Sequence, residues 1–100
     1  MNTMAQQLNM TPAFAVFAKN GICRASLFGS YAKGFPSEKS DIDLLVEFEP
    51  GKTPDLLDFI GIKDELEQEL GKSVDLVMPV ALDKYLRDEI LSSAKEIYVR

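Results

Sequence analysis

The feature that most constrains the fold is a seven-residue apolar segment with sharp ends, IDLLVEF. A Ser-Asp pair precedes it and a Pro-Gly pair follows it after one glutamate. Short runs rich in branched and aromatic residues, bounded by such turn residues, are typical of β-strands. The segment therefore predicts a strand at 42–48. Aspartate is a poor strand former, so Asp43 inside this strand and Asp41 just before it need an explanation other than strand propensity.

Further helical and strand-like segments alternate along the chain. Apolar spacing and Gly or Pro boundaries predict helices at 11–19, 54–70 and 83–94, and strands at 22–28, 73–78 and 96–99. This order predicts an α/β (α+β) fold, a small mixed β-sheet with helices packed on one side. On the long helix, we expect the charged face to be solvated; its members are Lys63, Glu65, Glu67 and Glu69.

The length and composition fit one globular domain over residues 1–100. The chain is 46% apolar and 27% charged, as in ordinary globular proteins, and it is long enough for one modest core. It has no apolar run that could span a membrane, and its N-terminus does not resemble a secretory signal. The lone Cys23 cannot form an internal disulfide, so we expect a cytoplasmic protein.

The charged residues limit the chemistry. The chain contains no histidine, which excludes a histidine base and imidazole zinc ligands. Its net charge of -5 argues against direct binding of nucleic acid, which needs a basic face. The same charge suits a basic protein partner or a site for divalent cations.

Asp41 and Asp43 are two residues apart, so a strand places both side chains on the same face. Two neighbouring carboxylates repel each other unless a cation lies between them. Mg²⁺ is a suitable ion because it binds carboxylates together with substrate phosphates. The alternative, which the pair alone leaves open, is a solvated strand end.

Two further positions are candidates. Gly29 and Ser30 follow the strand at 22–28, where backbone N–H groups could hold phosphate; a simple turn is the alternative. Asp75 lies inside the predicted strand SVDLVM, where a carboxylate needs a partner or a role. It is either an exposed residue of an edge strand or, if the two strands are neighbours, a third carboxylate beside Asp41 and Asp43. Three carboxylates could hold the two metal ions of a phosphoryl-transfer site.

These residues together carry a resemblance. Gly29-Ser30, ten intervening residues and Asp41-Ile42-Asp43 resemble the signature of the DNA polymerase β-type nucleotidyltransferase superfamily. The longer pattern GSYAKG…SDIDLLVEF is similar to that of minimal nucleotidyltransferases (MNT), the antitoxins of HEPN–MNT toxin–antitoxin pairs. The motif covers about a fifth of the chain, while the order of elements fits over nearly all of it.

The resemblance implies a polymerase β-like fold and a role for each matching residue. Asp41, Asp43 and Asp75 would ligate Mg²⁺, as two ions, and Asp75 would also help to deprotonate the acceptor. Gly29 and Ser30 would hold the triphosphate of ATP. Lys33, which stands where the family often has arginine, would contact phosphate. Ser40 lies inside the motif and is a candidate nucleotide contact, with a structural role in the loop as the alternative.

The implied reaction is transfer of AMP from ATP to a tyrosine hydroxyl of a partner HEPN ribonuclease, which silences this toxin. One alternative is an antitoxin that neutralises the toxin by binding alone. Another is a nucleotidyltransferase acting on a small molecule, although such enzymes carry an extra helical domain for which this chain has no length.

Overall fold

The computed structural model describes residues 9–29 and 41–100. The first elements are helix α1 (Thr11–Lys19), strand β1 (Ile22–Phe28) and strand β2 (Ile42–Phe48). All three have the predicted bounds, because turn-forming residues or aspartate flank each apolar segment in the sequence.

The later elements are also those that the sequence predicts, with small shifts at their ends. Helices α2 and α3 begin later than predicted because Asp55 and Asp83 cap them from outside: their Oδ1 atoms accept the N–H groups of Asp58 at 2.8 Å and Leu86 at 3.0 Å. The observed bounds are α2 Leu56–Leu70, β3 Val74–Val77, a 3-10 turn Pro79–Ala81, α3 Lys84–Ser93 and β4 Lys95–Val99.

The strands of the described residues form one sheet in the order β3-β2-β1-β4. Strand β1 pairs antiparallel with both β2 and β4, whereas β2 and β3 are parallel. The sheet is therefore mixed, as predicted. The parallel pair is possible because α2 crosses from the end of β2 back to the start of β3.

The core lies between this sheet and helices α1 and α2. Strand alternation turns Ile42, Leu44 and Val46 towards the helices, and each is fully buried. Helix α1 contributes Phe17, whose ring centroid lies 5.2 Å from that of Tyr98 on β4. Ile62 and Leu66 of α2 belong to the same core, so α1 and α2 pack on one side of the sheet, as predicted.

Helix α3 differs from the other two helices because none of its side chains is buried. Its Tyr85 side chain is 87% exposed. No helix in the described parts of the chain is both long enough and apolar enough to cross a membrane.

Candidate functional site

Asp43 occupies the second position of β2, on the sheet face opposite the helical core. Its neighbours Ile42 and Leu44 are fully buried on the core face, and alternation therefore points Asp43 the other way. The Asp43 side chain is half-buried. The apolar neighbours thus fix the direction of this carboxylate.

Asp75 lies directly opposite Asp43 on the adjacent parallel strand. The two residues are Cα partners in the β2–β3 register, so their backbones are about 4.8 Å apart. Asp75 is exposed and lies on an edge strand. From the sequence, these two carboxylates lie together only if their strands are neighbours. Strands β2 and β3 are neighbours, so this condition is met.

Gly29 packs against the Asp43 carboxylate from the end of β1. Phe28, the last residue of β1, is the Cα partner of Asp43. A Cβ atom added to Gly29 would lie only 2.1 Å from Oδ2 of Asp43. Gly29 also has a φ of +73°, in the left-handed region that favours glycine. Both the contact and the backbone conformation therefore require a glycine here.

Partial burial and the neighbouring negative charges raise the pKa of the Asp43 carboxyl group above its usual value of 3.8. Partial burial makes the largest contribution because it disfavours the charged form, and the negative charges of Asp75 and then Asp41 add to it. A cation close to these carboxylates would relieve both their repulsion and the loss of hydration. Concentrated negative charge is thus the main electrostatic property of this site.

Asp41 is exposed and lies one residue before β2. Among residues 9–29 and 41–100, no group of three or more Cys, Asp or Glu side chains is placed so that it could hold a metal ion. Asp41, Asp43 and Asp75 are thus not arranged as a ready-made metal cage. The three side chains nevertheless suit Mg²⁺ by type, since this ion prefers carboxylate oxygens and keeps several of its ligands as water or phosphate. Metal binding by Asp41, Asp43 and Asp75 stays a prediction.

Three other predicted contacts fall outside the described residues. These are Ser30 next to Gly29, and Lys33 and Ser40 in the segment that joins β1 to β2. Their predicted contacts with phosphate or nucleotide stay predictions.

The structure adds a network that the sequence analysis did not identify. Glu67 on α2 accepts the backbone N–H of Val74 at 2.8 Å and the Lys63 ammonium group at 3.0 Å. The side chains of Lys63 and Glu67 are 38% and 29% exposed, so they lie on the solvent side of α2 as predicted. Glu67 also binds the backbone at the start of β3, which the prediction of a merely solvated face does not include. Glu65, on the same predicted face, pairs with Lys19 of α1. The sequence offers only the i,i+4 spacing of Lys63 and Glu67 as a signal, and this spacing is common on exposed helix faces.

The sequence and fold match known proteins over most of the chain. Residues 14–100 match the family model described as "Polymerase beta, Nucleotidyltransferase". The chain is 46% identical to "Putative protein adenylyltransferase MJ0435" of Methanocaldococcus jannaschii, over 82% of this chain and 86% of that protein. It is 42% identical to "Protein adenylyltransferase MntA" of Thermococcus cleftensis, over 71% of this chain and 70% of that protein.

The fold is also similar to that of a solved toxin–antitoxin complex with AMP-PNP. The TM-score is 0.79 at 25% sequence identity, and the match covers 93% of this chain and 75% of the other. These similarities confirm the fold and the resemblance noted in the sequence. The chain belongs to the polymerase beta nucleotidyltransferase family.

Proposed function

We propose that this nucleotidyltransferase is an antitoxin that transfers AMP from ATP to a tyrosine hydroxyl of a HEPN ribonuclease toxin and thereby silences it. The observation that carries the proposal is the placement of Asp43 directly opposite Asp75, with Gly29 against the Asp43 carboxylate. The names of the similar proteins, protein adenylyltransferases and a toxin–antitoxin complex with AMP-PNP, support the same activity and partner.

The proposed reaction forms one bond and breaks one. The tyrosine oxygen forms a bond to the α-phosphorus of ATP, the bond from that phosphorus to the bridging oxygen breaks, and pyrophosphate leaves with the electron pair. Asp75 accepts the hydroxyl proton, a role that its exposure permits. The tyrosine oxygen then carries AMP.

Asp41, Asp43 and Asp75 would hold two Mg²⁺ ions. When bound, these ions would neutralise the phosphate oxygens and lower the pKa of the attacking hydroxyl. Asp43 is the central ligand in this proposal, because it lies between Gly29 at the end of β1 and Asp75 on β3. Its carboxylate is also the one that the other two destabilise in the absence of a cation.

Gly29 would let the triphosphate approach the backbone at the end of β1, where a side chain would block it. Its φ of +73° turns the chain beside Asp43, and backbone N–H groups at such turns can bind an anion. Ser30, Lys33 and Ser40 extend this phosphate and nucleotide site in the proposal, on the strength of the motif resemblance.

Two statements about the whole chain belong to the proposal. Residues 1–100 form one domain, which is supported by a single continuous core that extends from Met10 to Leu76. The protein works in the cytoplasm, where its lone Cys23 would remain reduced.

The test is AMP transfer to a partner toxin encoded beside this protein. Incubation with Mg-ATP should add the mass of AMP to a toxin tyrosine, as measured by intact mass spectrometry and peptide mapping. Asp43→Asn should lower the rate by about 100-fold or more, because it removes a central metal ligand. Asp88→Asn, an exposed aspartate on α3, is the matched control and should transfer at the wild-type rate.

The same variants separate the alternatives. If Asp43→Asn modifies the toxin as fast as the wild type does, the catalytic proposal is wrong. If it neutralises the toxin fully without modifying it, the protein is an antitoxin that acts by binding alone. Transfer to a small molecule and not to the toxin would also overturn the proposal.

A further inference from the structure

The connection between α2 and β3 is held at both ends by Glu67. Its backbone carbonyl accepts the N–H of Gly71 at 2.8 Å, which closes the helix, and its side-chain Oε2 accepts the N–H of Val74 at 2.8 Å. The same oxygen accepts a hydrogen bond from the Lys63 ammonium group at 3.0 Å. One glutamate thus fixes the first residue of β3 relative to the helix.

The Val74 N–H needs such an acceptor because β3 is an edge strand with one unpaired side. On the other side, the carbonyl of Ser73 accepts the N–H of Ile42 at 2.9 Å. The start of β3 is therefore held between β2 on one side and Glu67 on the other. Charge-assisted hydrogen bonds such as the one to Glu67 are stronger than neutral ones.

The next residue along each strand is an acidic site residue. Ile42 and Val74 are Cα partners, and they precede Asp43 and Asp75, which are the following pair. Asp75 and Asp43 repel each other, and β3 has only four residues to resist that repulsion. The bond from Val74 to Glu67 is one residue away from Asp75, so it opposes displacement of this strand end.

Lys63 orients the side chain of Glu67. The pKa of its ammonium group is raised, mainly by the hydrogen bond to Glu67 and further by the negative charge of that carboxylate. The hydrogen bond from Lys63 thus holds Oε2 of Glu67 in the orientation that the Val74 N–H requires.

We propose that Glu67, oriented by Lys63, is a positioning residue that fixes Asp75 opposite Asp43 and so sets the affinity of the site for divalent cations. The proposal rests on the proposed function, in which these two aspartates bind metal. Partners behind the direct ligands orient them, and their loss typically weakens metal binding by about 10- to 100-fold.

The test is Mn²⁺ binding to the isolated chain, measured by isothermal titration calorimetry without nucleotide. Glu67→Ala should weaken Mn²⁺ binding by about 10-fold, whereas Glu69→Ala, an exposed glutamate on the same helix, should bind as the wild type does. Glu67→Gln keeps an oxygen acceptor for Val74 and should restore most of the affinity. In the transfer assay, Glu67→Ala should need more Mg²⁺ for half-maximal rate but approach the wild-type rate at saturating Mg²⁺.

Circular dichroism shows whether Glu67→Ala is folded. If it is not, Glu67→Asp decides: it keeps the negative charge but withdraws the carboxylate from Val74, so it should weaken Mn²⁺ binding relative to Glu69→Asp, a matched change at an exposed glutamate of α2. Wild-type affinity in folded Glu67→Ala, or in Glu67→Asp, would overturn the inference. If the Glu67 variant binds Mn²⁺ with wild-type affinity while Asp43→Asn loses Mn²⁺ binding, only the inference fails. If Asp43→Asn also binds Mn²⁺ normally, the metal site of the proposed function is wrong as well.

Discussion

The carboxylate of Asp43 lies against the backbone of Gly29, so closely that a Cβ atom at Gly29 would be 2.1 Å from Oδ2 of Asp43. This contact joins the end of β1 to the start of β2. The position of the central acidic residue therefore depends on the absence of a side chain at Gly29.

Gly29→Ala should impair both folding and transfer. The left-handed backbone costs an alanine about 1 kcal/mol, and the added methyl group must also displace the Asp43 carboxylate. A misplacement of about 1 Å can lower a rate by about 100-fold, so we expect AMP transfer to fall by that order. Urea unfolding and the transfer assay measure the two effects.

Gly51→Ala is the matched control for this change. Gly51 has a similar φ of +80°, but a Cβ atom there would meet nothing within 4 Å. Gly51→Ala should lower the free energy of unfolding by about 1 kcal/mol, the cost of the left-handed backbone, and should transfer AMP at the wild-type rate. Equal transfer by the two alanine variants would show that the contact between Gly29 and Asp43 does not matter for the reaction.

The stability of the protein in the absence of divalent cations should depend on pH through Asp43. Its pKa is raised in the folded state, so the folded protein binds this proton more tightly than the unfolded chain does. The resulting stabilisation is fully present below the usual value of 3.8 and is lost as pH rises through the folded pKa. At neutral pH, Asp43→Asn should therefore be more stable than the wild type.

Urea unfolding of both proteins in EDTA, from pH 3.5 to pH 7 at about one-unit steps, measures this dependence. The advantage of Asp43→Asn over the wild type should grow with pH, while Asp88→Asn should follow the wild type throughout. A constant difference between Asp43→Asn and the wild type would rule out this role of Asp43.

Mg²⁺ should stabilise the wild type by relieving the repulsion between Asp43 and Asp75. A ligand at about 100 times its Kd adds about 2.7 kcal/mol to the free energy of unfolding when it binds only the folded state. Increasing concentrations of Mg²⁺ should raise the Tm of the wild type, measured by thermal unfolding, but not the Tm of Asp43→Asn. Equal stabilisation of both would place the bound cation elsewhere on the chain.

Phe17→Ala should destabilise the fold without acting on the site directly. Phe17 is fully buried, and its ring packs against those of Phe14 and Tyr98. Loss of such a side chain costs about 3–5 kcal/mol, which urea unfolding would detect. Leu57→Ala, at a side chain that is 79% exposed, should change the free energy of unfolding by less than about 0.5 kcal/mol.

Local patterns in the sequence predict the elements well, because each element depends mainly on its own residues. The bounds of α1, β1 and β2 follow from apolar runs that end at turn residues or aspartate. The sequence pattern predicts starts of α2 and α3 that are one or two residues too early, because Asp55 and Asp83 act as caps outside the helix. The sequence spacing does not distinguish a cap from the first helical residue.

The charged face of α2 shows where this reasoning fails. Lys63 and Glu67 have the spacing of an ordinary exposed pair, yet Glu67 holds the backbone of Val74 on another element. Such a bond depends on how the helix lies against the strand. It arises from packing, which no local pattern encodes.

By itself, the sequence determined the elements, the direction of Asp43 relative to the core, and the family to which the chain belongs. It could do so because strand alternation and a short motif are local properties. Only the tertiary structure decided that β3 lies parallel to β2, in the register that makes Asp75 the partner of Asp43. This register depends on how α2 packs against the sheet, which brings together residues far apart in the chain. A shift of one residue would have turned the Asp75 carboxylate to the other face.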